Sequence, residues 1–368
     1  MMHLIAAREI FDGETLWHGH ALALEGGVLQ AIVPAPEGAE VFGGTLMPGF
    51  VDLQVNGGGG VLFNEDTTAR GVTRIAQAHA TTGTAALLPT LITDTPDRTR
   101  AAVDAVAQAV AEGAPGVIGL HLEGPHLSMA RKGAHDPALI RAMTDADEAF
   151  LLEAVQRLPN LMVTVAPESV SLERMHRLAA SGVILSLGHT DCEYDTAMAC
   201  FGAGVRCATH LFNAMSQLGN RAPGMVGAVL DAPQVSAGVI ADGIHVHPAA
   251  LRLALAAPKT DASLFLVTDA MPPVGSEITE FTLNGRRVLR RDGRLTLEDG
   301  TLAGADLDMP QALRVLGSLG LDRARALEMA TRAPARLLRQ DFGLGRLTPG
   351  KPCRAIRLDA RGRYAGPV

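Results

Sequence analysis

Residues 116–126 read GVIGLHLEGPH. Val117, Ile118, Leu120 and Leu122 are the apolar heart of a buried strand, yet Glu123 ends it and Gly124-Pro125 follow at once. A carboxylate buried without a partner is costly, so it demands a cation or strong donors. The same form recurs along the chain, giving eight β-like runs: 46–55, 85–93, 116–123, 161–168, 183–189, 206–211, 235–242 and 264–269. Ala-rich amphipathic stretches lie between them, at 68–81, 97–112, 145–157, 171–181, 193–203 and 248–257. Strands alternating with helices imply parallel pairing, because parallel neighbours need a crossover. Eight such units predict an α/β fold of the (β/α)8 TIM-like barrel type. An open doubly wound sheet is the other arrangement with this alternation. No G-x-G-x-x-G follows the first strand, which weakens a dinucleotide-binding version of it.

The two ends differ from the middle. Residues 1–46 and 339–368 hold short apolar runs punctuated by Gly and Pro, without helical periodicity. They predict a small β-sandwich domain built from both chain ends, flanking a barrel over 47–338. Within that barrel stretch, FTLNGRRVLRRDGRLTLEDGTL (281–302) carries Asn284-Gly285 and Asp292-Gly293 turn signals. It predicts a β-hairpin insertion at about 280–302, after the eighth strand.

The totals narrow the function. The chain has 368 residues, 47% of them hydrophobic and 19% charged, with net charge −7. That balance lacks the basic footprint of a nucleic-acid binder. The apolar runs fall short of the ~20 residues a membrane helix needs. The N-terminal MMHLIAAREIFDGE lacks the pattern of a signal peptide. Cys192, Cys200, Cys207 and Cys353 form no C-x-x-C pair, so reduced thiols in a cytoplasmic protein are expected.

Active sites of such barrels gather at the C-terminal ends of the strands. The predicted strands end in Gln54 and Asn56, Glu123, Glu168, His189, His210, Asp242 and Asp269. A carboxylate with two imidazoles is a catalytic zinc set that leaves one position open. The partner expected for Glu123 is therefore a metal held jointly with His189 and His210.

HLEGPHLS (121–128), KGAH (132–135), LGHT (187–190), THLFNAMS (209–216), ADGIHVHP (241–248) and LVTDAMPPVG (266–275) resemble the N-acetylglucosamine-6-phosphate deacetylase family of the amidohydrolase superfamily. MPGFVDLQVNG (47–57) and GTLAG (300–304) fit the same pattern, in order, over nearly the whole chain. The resemblance implies one divalent metal per subunit on Glu123, His189 and His210, Zn2+ first and Fe2+, Co2+ or Mn2+ as alternatives. It implies Asp269 as general base and then acid, with His135 polarising the acetamide oxygen. It implies substrate contacts from Ala134, His135, Asn213, Ala214, Arg221, His245, Leu302, Ala303 and Gly304. It also implies a homodimer in which Arg221 serves the neighbouring site. Many amidohydrolases carry H-x-H on the first strand for a second metal; Gln54-Val55-Asn56 stands there instead, as in the single-metal branch. Two further departures are GADLDM (304–309), where small hydroxyl residues are usual, and His126, where an apolar or aromatic residue is expected.

The substrate implied is an amino-sugar phosphate, with acetate and glucosamine 6-phosphate as products. The galactosamine epimer is the near alternative. An N-acyl-D-amino-acid deacylase and a non-catalytic sugar-phosphate-binding barrel are more distant. Neither nucleic acid nor membrane is expected as a partner. Glu168 is expected to bond backbone or a histidine, Asp242 to orient His245 or His210, and His121 to border the metal without binding it.

Overall fold

In a computed structural model, which describes residues 2–257 and 264–368, the expected alternation closes into a barrel. Met1 of the expected sandwich and residues 258–263 of the expected barrel lie outside the described residues. The barrel strands are β1 (Phe50–Val55), β2 (Thr84–Ile92), β3 (Leu120–Glu123), β4 (Leu161–Val165), β5 (Ile184–Leu187), β6 (Cys207–Ala208), β7 (Ser236–Val239) and β8 (Leu264–Leu266). Each pairs in parallel with the next in chain order. A parallel bridge between Val55 and Ala270 joins the last to the first, and the Asp269 N–H donates to the Gln54 carbonyl at 3.0 Å.

Helices Ala69–Ala80, Pro96–Ala111, Asp145–Arg157, Leu172–Ala180, Tyr194–Gly202 and Pro248–Ala256 lie within one residue of their expected bounds. Their starts are legible because most are capped. Thr68, Thr95, Thr144 and Ser171 each accept a hydrogen bond from a first-turn N–H. Thr144 and Asp147 form a reciprocal capping box.

The strands are shorter than their apolar runs. The run 116–123 is regular only from Leu120, because Gly119 has φ +147° and lies so close to Asn160 that a Cβ would sit 2.2 Å from its carbonyl oxygen. The run 206–211 keeps only Cys207–Ala208 as strand. The run 46–55 divides at Gly49 between two sheets.

The ends pair into one six-stranded sheet from Met2–Phe11, Leu16–Glu25, Val28–Pro34, Val41–Pro48, Ala355–Leu358 and Tyr364–Pro367. Val28 bridges Pro352, so the edge strand reaches the segment leading into 355–358 and the sheet curls around its own core of Ile10, Leu22, Leu29 and Leu46. The sandwich expected from the two ends thus takes the form of a single sheet curled on itself.

The expected hairpin is a four-stranded antiparallel meander, Glu280–Leu283, Arg286–Arg291, Arg294–Leu297 and Leu302–Ala305. Asn284 and Asp292 take positive φ at the first two turns, as their Asn-Gly and Asp-Gly pairs require. A third turn at Gly300 adds the fourth strand. Leu283, Val288, Leu295 and Leu297 pack on Leu62, Ile92 and Met271, which seats the meander beside the barrel mouth.

Candidate active site

Glu123 is the last residue of β3, and the period-two alternation turns its side chain inward. His189 and His210 lie two residues past β5 and β6, and Asp269 three past β8. All three have left-handed backbones, with φ of 49°, 28° and 51°. Such conformations are uncommon for residues with a Cβ and persist where the surroundings hold them. Here each turned carbonyl is fixed by an N–H: His189 by Ser128 at 2.8 Å, His210 by Asn213 at 2.9 Å, Asp269 by Ala305 at 2.9 Å. The strained turns swing three polar side chains over the mouth instead of along the barrel wall.

Glu123 Oε1 lies 3.1 Å from His189 Nε2 and 3.0 Å from His210 Nε2, and the two Nε2 atoms are 3.1 Å apart. His189 Nδ1–H donates to the Arg131 carbonyl at 2.9 Å, so the neutral ring turns its Nε2 lone pair toward Glu123. Glu123, His189 and His210 each offer one ligand atom there, all within 4.8 Å of one another and buried. That donor set fits a divalent cation of borderline softness. Burial alone would raise the Glu123 pKa; His189 and His210, when each ring carries its second proton, outweigh it and hold the group well below the ordinary carboxylate range.

Asp269 faces this cluster. Its Oδ1 accepts from Asn56 Nδ2 at 2.6 Å and from Gln54 Nε2 at 3.1 Å. Gln54 Nε2 also donates to Glu123 Oε1 at 3.2 Å, tying the two carboxylates together. Burial, reinforced by repulsion from Glu123, pushes Asp269 up to about 6. Gln54 and Asn56, which replace the H-x-H pair, therefore hold the carboxylates through amide donors. Their role as partners of Asp269 was missed in the sequence, although their alternation along β1 places both on the inner face.

His135 sits with its ring centroid 4.3 Å from that of His189. Its Nδ1 is 2.7 Å from the Thr93 hydroxyl, and burial holds the ring well below its ordinary pKa. His245 Nδ1 donates to Asp242 Oδ2 at 2.6 Å, while the Ile244 and His245 N–H groups bond Asp242 Oδ1. Asp242 thus orients His245 rather than His210. His121 is not part of the cluster: its Nδ1–H donates to the Leu53 carbonyl at 3.0 Å and its Nε2 accepts from Thr164 at 2.7 Å. Glu168 accepts from the Thr190 hydroxyl at 2.8 Å and the Asp191 N–H at 2.7 Å, a structural bond to the β5 exit.

A cavity of about 240 Å3 opens above the cluster. Ala134, His135, Asn213, Ala214, His245, Leu302, Ala303 and Gly304 all line it, with Glu123, His189, His210 and Asp269. Arg221 does not; it is exposed on the loop leading to helix Gly224–Asp231. No lysine or arginine lines the cavity among the described residues. Thr93, which reaches His135, and Arg286, whose guanidinium donates to the Ala134 carbonyl from the meander, carry no sequence motif that announces them.

Residues 45–361 match the model of the amidohydrolase family. An N-acetylgalactosamine-6-phosphate deacetylase of Shewanella sp. (strain ANA-3) is 45% identical over 317 residues, 86% of this chain and 79% of that one. An N-acetylglucosamine-6-phosphate deacetylase of Haemophilus influenzae is 33% identical over 341 residues, 90% of this chain and 88% of that one. The crystal structure of N-acetylglucosamine-6-phosphate deacetylase from Pasteurella multocida superposes with a TM-score of 0.91 at 32% identity, covering 100% of this chain and 98% of that one.

Proposed function

The chain belongs to the amidohydrolase family, and from that premise we propose that it hydrolyses the acetamide of N-acetylglucosamine 6-phosphate to glucosamine 6-phosphate and acetate. The observation that carries this reading is Asp269, a carboxylate held by Gln54 and Asn56 against a Glu-His-His metal set in a cavity.

Glu123, His189 and His210 would hold one divalent ion, zinc in this reading. Such an ion supplies Lewis acidity, making water a stronger acid and polarising a carbonyl. The chain's own groups do the rest. Asp269 accepts the water proton and then delivers it to the departing sugar nitrogen. Gln54 and Asn56 keep its carboxylate turned to the mouth. His135, anchored at Nδ1 by the Thr93 hydroxyl, is the group we assign to the acetamide oxygen as charge develops there. His245 gives its Nδ1–H to Asp242, so its Nε2 is an acceptor suited to a sugar hydroxyl. Asn213 and Ala214, with Leu302, Ala303 and Gly304 opposite, enclose the sugar.

A phosphate needs cations or free backbone N–H groups, and the cavity wall has no cation among its described residues. Arg221, exposed and outside its own cavity, is the cation we assign to the neighbouring site of a homodimer. The four free cysteines, of which burial raises Cys200 to about 12 and Cys207 to about 11, suit a reducing compartment, and we place the protein in the cytoplasm. No helix among the described residues is long and apolar enough to cross a membrane.

The galactosamine epimer is the second reading, favoured by the name of the relative at 45% identity. Acetate release from each epimer by purified protein separates the two. Release from N-acetylglucosamine 6-phosphate should vanish on chelation, return with zinc, and exceed that from the epimer. Asp269→Asn should keep its zinc and lose roughly 10²–10⁴-fold in kcat. No release from this sugar at any metal loading, with release from the epimer, would replace the first reading by the second.

A further inference from the structure

His126 is buried, at 3% exposure, three residues after Glu123, and the mechanism does not use it. Its Nδ1–H donates to the Arg141 carbonyl at 3.1 Å. Its Nε2 is then a lone-pair acceptor, and it makes no hydrogen bond among the described residues. His126 lines a second cavity of about 250 Å3 on the outer side of the barrel, between helices Pro96–Ala111 and Asp145–Arg157. The floor of this cavity is Leu122 of β3 and Val163 of β4, paired in register and turned away from the mouth. Phe150 and Leu151 form one wall.

The other polar groups around the cavity are spent. Arg141 and Asp147 share two bonds of 2.5 and 2.6 Å, and the Thr144 hydroxyl donates to Asp147 at 2.6 Å. Thr99 donates to the Thr95 carbonyl at 3.0 Å. Arg100 stands at the rim with its guanidinium 5.8 Å from the Phe150 ring centroid. What remains is an apolar chamber with one unmatched acceptor. An acceptor that faces the cavity without a protein donor is open to a ligand N–H. An apolar cavity of ~150 Å3 accepts benzene, so this one has room for a bicyclic ring.

We propose that this cavity is a second small-molecule site, for a flat, largely apolar heterocycle that donates one N–H to His126 Nε2. Its floor is the strand that carries Glu123, on the face opposite the catalytic mouth.

Indole and 1-methylindole are the probes, titrated calorimetrically into the metal-loaded full chain. Indole should bind with one-to-one stoichiometry. 1-Methylindole, which lacks the donor, should bind about tenfold more weakly, the equivalent of one hydrogen bond. In His126→Leu the two should bind alike, at the level of 1-methylindole. The comparison on the unaltered chain needs no variant to fold. No binding of indole overturns the site. Equal binding of both probes to the unaltered chain, or an indole preference that survives His126→Leu, overturns the role of His126.

Discussion

Asp52 shows how much a single buried carboxyl can weigh. It sits on β1, fully enclosed, and accepts from the Gln54 N–H at 3.2 Å and the Thr268 N–H at 3.3 Å, with the Thr268 hydroxyl on its other oxygen. These bonds fasten β1 to the exit of β8, at the seam where the barrel closes. Burial nevertheless dominates and pushes Asp52 up to about 7 from 3.8. As pH rises, the unfolded chain loses this proton first, so stability falls between pH ~4 and ~7, by up to about 4 kcal/mol from this group. Asp52→Asn keeps the shape without the charge. Urea unfolding of the variant should give a flatter stability profile across that window, and an unchanged slope would mean that Asp52 is already ionised there. At this scale the sequence announced chemistry better than contacts. Glu123, His189, His210 and Asp269 stand out as polar ends of apolar runs. Nothing local marks Thr93, 42 positions from His135 and bonded to it, because that bond exists only once β2 lies beside β3.

Among the elements, the strands were located but overextended. Hydrophobic runs continue past the last ladder bond, since residues such as Leu211 and Val267 are buried in loops as deeply as in strands. Periodicity reports burial, and burial does not stop where pairing stops. The meander is the element with the most to say about function. It brings Leu302–Gly304 to the cavity, and Arg286 clamps it to the Ala134 carbonyl beside His135. On its far side Arg290 pairs with Asp306 at 2.7 Å, the residue that stands where GADLDM departs from its usual pattern. A charged donor to a carbonyl contributes ~1.5–3 kcal/mol. Arg286→Met should therefore raise KM about tenfold or more, with a smaller change in kcat, because it loosens the walls around bound sugar and leaves Asp269 in place. Steady-state kinetics with a thermal melt test this; an unchanged KM would remove Arg286 from any part in closing the cavity.

For the whole molecule, the alternation of runs was enough to give the barrel, because eight units of that form leave few other closures. That the two helix-poor ends build one β domain was legible in the sequence; which strands meet, and that they form a single sheet, depends on contacts that no local pattern encodes. The dimer is testable by complementation. Asp269→Asn alone and Arg221→Ala alone should each be nearly inactive on the phosphorylated sugar. Mixed in equal parts through reversible dissociation, they should regain about a quarter of normal activity, since half the dimers carry one intact site. No recovery would mean that Arg221 serves its own subunit or none. The curled sheet has a further bearing on how the protein is made. Thr45–Pro48 pair with Ala355–Leu358, more than 300 positions later in the chain. Contacts so distant close late and slowly. During synthesis the first four strands leave the ribosome with an unpaired edge at Val41–Pro48 that stays open until residues 355–358 emerge. An open edge is a template for pairing with other chains. Nascent chains stalled before residue 355 should therefore be the aggregation-prone species, and a chaperone that shields strand edges should raise the yield of this protein more than one acting on the finished fold.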